Sequence, residues 1–213
     1  MIIVNLKNYK IGQEALRLAK LIEKYLPKAI IAVPTIDVEV IVQKTKLNIF
    51  AQHADFQLGE KTTGYNTLKA LKKAGINGTL INHSEHPESL TNIYKLCLIS
   101  KKLNLKTVVC TPTLREMKPI LKNKQAKPYA IAFEDPKLIS TGKSITKYSP
   151  EKLLEFVKIM KKTKIIPICG AGISTAEDVK QAYAFGCKGV LIASAIANSK
   201  NPIPLLKQLK EFQ

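Results

Sequence analysis

The sequence predicts an α/β chain closed as a short (β/α)8 barrel, and three observations carry that prediction. Eight short runs rich in Ile and Val alternate with longer segments of helical period. The runs are continuously apolar, as in a parallel sheet covered on both faces. Polar residues able to do chemistry stand at the carboxyl ends of several runs, where parallel α/β folds place theirs.

In chain order the expected strands are Ile2–Asn5, Ala29–Val33, Asn48–Gln52, Gly78–Asn82, Lys106–Cys110, Tyr129–Phe133, Ile165–Cys169 and Gly189–Ala193. Helical periodicity marks Glu14–Tyr25, Thr67–Ala74, Pro87–Leu103, Pro150–Lys162, Thr175–Phe185 and Ile203–Phe212. Ser149-Pro150-Glu151 reads as a helix start, with an N-cap serine, a proline at the first helical position and an acid in the first turn. Ser174-Thr175-Ala176-Glu177-Asp178 offers a similar capping pattern. Gly75 and Gly186 stand where helices end and the chain turns back. The chain has 213 residues, at the short end of the roughly 200–250 that eight such units need. Some outer helices must therefore be truncated, and Thr111–Lys127, with Pro112 and Pro119, is the expected place. No linker or composition shift divides the sequence, which predicts one barrel domain over residues 1–213.

Hydrophobic residues make up 46% of the chain, enough for a sizeable core. No run approaches the roughly 18 apolar residues of a membrane span. Met1-Ile2-Ile3-Val4-Asn5 reads as a strand and not as a signal peptide, so a cytoplasmic location without membrane partners is expected. Cys97, Cys110, Cys169 and Cys187 are widely spaced, with no CxxC pair, and read as reduced, buried small hydrophobes. The formal charge is +18, yet Arg17 and Arg115 are the only arginines. Lysines dispersed along helix faces, without clustered arginine or interleaved aromatics, do not predict nucleic-acid binding. They suit long-range attraction of small anions.

The chemistry-bearing segments come in a fixed order. Asn5-Leu6-Lys7 closes the first strand and Asn82-His83-Ser84-Glu85 a middle one. Glu134 closes the sixth and opens the loop Asp135–Lys143. Cys169-Gly170-Ala171-Gly172-Ile173-Ser174 and Gly189-Val190-Leu191-Ile192-Ala193-Ser194 follow. Essentially end to end, this series resembles the triosephosphate isomerases, nearest their compact archaeal branch. The resemblance implies a TIM barrel that interconverts D-glyceraldehyde 3-phosphate and dihydroxyacetone phosphate in glycolysis and gluconeogenesis, without metal or organic cofactor.

By the same resemblance Glu134 is the general base and His83 the electrophile, a neutral imidazole at a helix N-terminus that the Ser84-Glu85-His86-Pro87 stretch supplies. Lys7 holds developing negative charge and Asn5 orients it or binds substrate. Glu85 balances charge behind them. Backbone N–H groups at Ile139, Ser140, Gly170, Ala171, Gly172, Ala193 and Ser194 grip the phosphate, and Asp135–Lys143 closes as a lid. Thr62-Thr63-Gly64 resembles a loop that reaches into a neighbouring subunit, which implies a homo-oligomer, with a tetramer favoured over a dimer. Four positions depart from the family pattern: Asp135 for a proline, Ser140 for a glycine, His86 for an arginine and Ala195 for a glycine. Other sugar-phosphate barrels place different residues on these strands, and the Lys7/His83/Glu134 set argues against them.

Overall fold

In a computed structural model of the chain, which describes residues 1–139 and 141–213, eight parallel strands close on themselves in sequence order. They are β1 (Ile2–Asn5), β2 (Ile30–Val33), β3 (Asn48–Ala51), β4 (Gly78–Ile81), β5 (Lys106–Thr111), β6 (Ala130–Phe133), β7 (Ile166–Cys169) and β8 (Gly189–Ile192). Each agrees with its expected run to within a residue at either end. Outside them lie α1 (Gly12–Tyr25), α2 (Val38–Lys44), α3 (Leu68–Lys73), α4 (Leu90–Lys102), α5 (Leu114–Lys122), α6 (Ile145–Tyr148), α7 (Pro150–Met160), α8 (Ala176–Phe185), α9 (Ser194–Ala197) and α10 (Ile203–Leu209).

Although the strands are apolar throughout, their two-residue period still sorts side chains between two cores. One core fills the barrel: Ile3, Ile30, Ala32, Phe50, Leu80, Val108, Cys110, Ala130, Ala132, Ile168 and Leu191. The other lies between strands and helices and includes Val4, Ile31, Ile49, Ile131 and Val190. The inward parity leads from Ile3 to Asn5 at the end of β1 and, one residue past their strands, from Ala132 to Glu134, from Ile168 to Gly170 and from Leu191 to Ala193. The site residues are thus the topmost members of the interior rows. Phe50 is the largest side chain inside. Gly78 on the adjacent strand leaves it room, since a Cβ there would lie 2.5 Å from the Phe50 ring.

Three expectations need correction. Thr111–Lys127 is not where the outer layer thins. Thr113 Oγ1 accepts the Glu116 N–H at 3.2 Å and donates to the Glu116 carboxylate, and this cap supports a nine-residue α5 despite Pro119. The shortest helices are α6 and α9, with four residues each, followed by α3 with six and α2 and α10 with seven, and α2 carries no strong sequence signal of its own. The helix after β4 begins at Leu90, not Pro87, because Ser89 Oγ caps it by accepting the Asn92 N–H at 3.2 Å. Pro87 disfavours helical backbone at His86, and residues 84–86 form a turn closed by the His86 N–H on the His83 carbonyl at 2.8 Å. His83 therefore does not sit at a helix start. Finally, the last helix stops at Leu209 and tightens into a 3-10 turn over Lys210–Phe212.

Local punctuation otherwise follows the sequence. Gly186 ends α8 in the left-handed region at φ 105°, and Gly75 turns the chain after α3 at φ 99°. Thr175 caps α8 in a reciprocal capping box with Asp178. Truncating Phe50 to Ala should leave a cavity inside the barrel that its neighbours cannot collapse into, costing about 3–5 kcal/mol in urea unfolding; a loss below about 1 kcal/mol would mean the interior is not close-packed there.

Candidate active site

Asn5, Lys7, His83, Glu134, Ile139, Gly142, Ala171, Gly172, Ala193 and Ser194 all border one cleft at the carboxyl end of the barrel, with Ile173, Ser174 and Leu191. Ser140 lies outside the described residues. Of the other expected site residues, Gly170 stands behind Glu134 and not on the cleft wall, and Glu85 sits at the outer rim with its side chain 55% exposed.

Glu134 is 6% exposed, and its Oε2 has no hydrogen-bond partner among the described residues. Its carboxyl group rests on bare backbone, since a Cβ on Gly170 would lie 2.5 Å from Oε1. Cys110 lies beneath it. Burial, and then the nearby carboxylate charge, push the Cys110 thiol well up, so it stays protonated and unreactive. The other three cysteines are buried too, and burial raises the Cys97 thiol to about 11.

His83 Nε2 faces Glu134 Oε2 at 3.8 Å, too long for a hydrogen bond, so the imidazole leaves the carboxylate unengaged. His83 Nδ1 lies 3.1 Å from the Glu85 backbone nitrogen and accepts its N–H. A lone pair is therefore required at Nδ1, and the ring proton falls on Nε2, toward the cleft. The turn after β4, and not a helix end, fixes this tautomer. Asn82 shapes that turn in left-handed backbone at φ 60°. Its Nδ2 donates to the Cys110 carbonyl and its Oδ1 accepts the Glu88 N–H, both at 2.8 Å.

Lys7 also takes left-handed backbone, at φ 44°. Asn5 Oδ1 accepts the Lys7 N–H at 2.9 Å, and Gln52 Nε2 donates to the Lys7 carbonyl at 3.0 Å and to Ala32 at 3.2 Å. Gln52 is a positioning residue that sequence reading missed, because glutamine at a strand end carries no distinctive pattern. Lys7 Nζ meets Glu85 Oε1 at 2.5 Å, and Glu85 Oε2 lies 3.8 Å from His83 Nδ1. Glu85 thus holds the cation with its carboxylate and the imidazole with its backbone N–H.

The far wall is a tight turn at Ala171 and Gly172. Ala171 and Gly172 turn through left-handed backbone at φ 68° and 70°. A Cβ on Gly172 would lie 2.0 Å from the Lys143 carbonyl, so the foot of the 135–143 loop packs directly on this turn. The Ile145 N–H also donates to the Ala171 carbonyl at 3.1 Å. Beyond the turn, Asp178 Oδ2 accepts the Ser174 and Thr175 N–H groups, each at 3.0 Å, with Lys147 Nζ 3.3 Å from the other oxygen. At the loop's start Asp135 Oδ1 accepts the Lys137 N–H at 3.1 Å, and Lys152 Nζ of α7 donates to Oδ2 at 2.7 Å.

The sequence matches the family model described as triosephosphate isomerase over residues 1–209. The chain belongs to the triosephosphate isomerase family. Its relatives there include the triosephosphate isomerases of Methanobrevibacter smithii, 37% identical over 98% of this chain and 96% of the relative, and of Methanocaldococcus jannaschii, 35% identical over 100% and 99%. The fold agrees with the crystal structure of triosephosphate isomerase from Bartonella henselae, with a TM-score of 0.76 at 18% identity, covering 100% of this chain and 98% of that one. Of the four departures, Asp135 and His86 lie in loops and Ala195 in α9, while Ser140 lies outside the described residues.

Asp178 supplies a pH test of how this wall is held. Burial alone would raise its carboxyl, but the Ser174 and Thr175 bonds and Lys147 hold it below the ordinary carboxylate range. A carboxyl lowered on folding stabilises fully above its unfolded value, about 3.9, and loses that contribution as pH falls through the lower folded value. Asp178→Asn should therefore cost about 1–3 kcal/mol in urea unfolding at pH 7, with the gap to the native protein shrinking below about pH 4. A gap independent of pH would contradict the charge-assisted hold.

Proposed function

We propose that this chain isomerises D-glyceraldehyde 3-phosphate and dihydroxyacetone phosphate through an enediol(ate), with Glu134, His83 and Lys7 as the catalytic residues. The observation that carries the reading is the convergence of a buried carboxylate with an unpartnered oxygen, an imidazole N–H and a lysine on one cleft. Family membership supplies the substrate class.

The reaction removes a proton from the carbon beside a carbonyl and returns it one carbon away. Glu134 Oε2, with no competing donor among the described residues, takes the proton and gives it back. His83 Nε2–H polarises the carbonyl oxygen and passes a proton between the two oxygens as the double bond migrates. Lys7 stabilises the negative charge that develops there, and Asn5 holds Lys7. Backbone N–H groups of Ala171 and Gly172, of Ala193 and Ser194 and of the loop tip at Ile139 and Ser140 bind the phosphate, whereas the Gly170 N–H is already given to the Phe133 carbonyl at 3.0 Å. The 135–143 loop closes over the intermediate and excludes water.

The reading extends to the assembly and its setting. The whole chain acts as one barrel domain in glycolysis and gluconeogenesis, as a compact enzyme of archaeal type in the cytoplasm. No described helix is long and apolar enough to cross a membrane. Thr62-Thr63-Gly64 extends from an exposed loop in which Leu58 is 73% exposed, and this supports self-association, with a tetramer favoured.

A coupled assay with glyceraldehyde 3-phosphate tests the reaction: Glu134→Ala should lower kcat by about 10²–10⁴-fold or more. A well-folded native chain without turnover would sink the assignment. Gly170→Ala should act through Glu134, because the added methyl displaces the carboxylate. We expect kcat to fall roughly 10²-fold with KM little changed, whereas a rise in KM alone would place Gly170 in phosphate binding.

A further inference from the structure

Two histidines that this chemistry does not use face each other just outside the cleft. His53 follows β3 and His86 lies in the turn after β4. Their rings stack at 3.8 Å with 19° between planes. Glu88 joins them, with Oε1 3.9 Å from His53 Nε2. One ligand atom from each of His53, His86 and Glu88 lies within 4.8 Å of the other two. Asp55 Oδ1 is 3.3 Å from the same His53 nitrogen.

We propose that His53, His86 and Glu88 bind a divalent transition ion of the zinc class, with Asp55 or water as a fourth ligand. Imidazole nitrogens with a carboxylate form a zinc donor set, whereas magnesium and calcium prefer oxygen throughout. The carboxylates are already oriented. Glu88 Oε2 accepts from Asn92 Nδ2 at 2.8 Å, and the Glu88 N–H is held by Asn82, which leaves Oε1 toward His53. Asp55 Oδ2 accepts the Asn66 N–H at 2.7 Å, leaving Oδ1 toward the same ring. Outer partners of this kind are what fix ligands in metal sites.

Ligands sit about 2.0–2.2 Å from zinc, so they approach one another to roughly 3.5 Å. The cluster must therefore close by about 1 Å, and His86 is exposed and able to rotate. The same rotation turns the stacked rings so that both lone pairs meet at the ion. A bound ion would join the segment after β3 to the turn that carries His83 and Glu85. The departure from arginine at His86 would then supply a ligand. This inference does not depend on the isomerase reading.

Zinc titrated into the native protein against a competing chelating dye should give one ion per chain. His53→Ala, His86→Ala and Glu88→Gln should each weaken binding by at least about tenfold. Zinc should also raise the melting midpoint of the native protein but not of the His53→Ala/His86→Ala double variant. Equal affinity in the native protein and all three single variants would overturn the proposal and move the ion elsewhere, for instance to His83 and Glu134. So would a native protein that takes up no ion at about tenfold molar excess. Glu88→Gln keeps the shape of the side chain and its Asn92 contact, which separates a ligand role from a folding role.

Discussion

Holding Glu134 buried with one carboxylate oxygen unpartnered among the described residues destabilises the fold, by roughly 1–3 kcal/mol for an unsatisfied polar atom and more for a charged one. The surroundings that permit it are laid out on the neighbouring strands. Gly170 offers a surface with no Cβ, and any larger residue would push the carboxylate into the cleft. Ala130 and Ala132 keep the row beneath it narrow. Cys110 stays protonated, so no second anion forms nearby. Across the cleft the Lys7 cation is bound to Glu85, and the neutral His83 ring is turned by a backbone N–H so that its proton points inward. The Glu134 carboxylate is thus kept buried, with Oε2 unpartnered among the described residues.

The same frame explains how the loop after Glu134 is held at both ends. At its foot, Lys143 lies against Gly172, so the loop and the Gly170–Gly172 turn share one packed contact. At its head, a proline would restrict the backbone by fixing φ. Asp135 restrains this segment by other means, capping the turn at Pro136–Leu138 and pairing with Lys152 of α7. Burial would raise the Asp135 carboxyl, yet Lys152 and the Lys137 N–H hold it below its ordinary range. The anchor is therefore charged at neutral pH, and it links loop position to a helix on the outside of the barrel.

Much of this was legible in the sequence because a parallel barrel writes its strands as short apolar runs and its site at their carboxyl ends. Glu134, His83, Lys7 and the Gly170–Gly172 turn could be placed from their position after a strand. What could not be read depends on tertiary partners. Ser84, Glu85 and Pro87 resemble a helix start after β4, yet Asn82 and Ser89 divide the segment differently. The strength of α5 escaped notice because Pro119 outweighed the Thr113–Glu116 cap in a local reading. Gln52 and the His53/His86/Glu88 cluster bring together segments far apart in sequence, and no spacing rule announces them.

The central claim is that the interior rows end in one constellation that grips a phosphate on one side and an enediolate on the other. It is tested most directly by a crystal structure with 2-phosphoglycolate, whose carboxylate mimics the enediolate. The account predicts phosphate oxygens on the N–H groups of Gly172 and Ser194, and the ligand carboxylate in contact with Glu134, His83 Nε2 and Lys7 Nζ. A phosphate held by surface lysines, with Glu134 touching no part of the ligand, would contradict it.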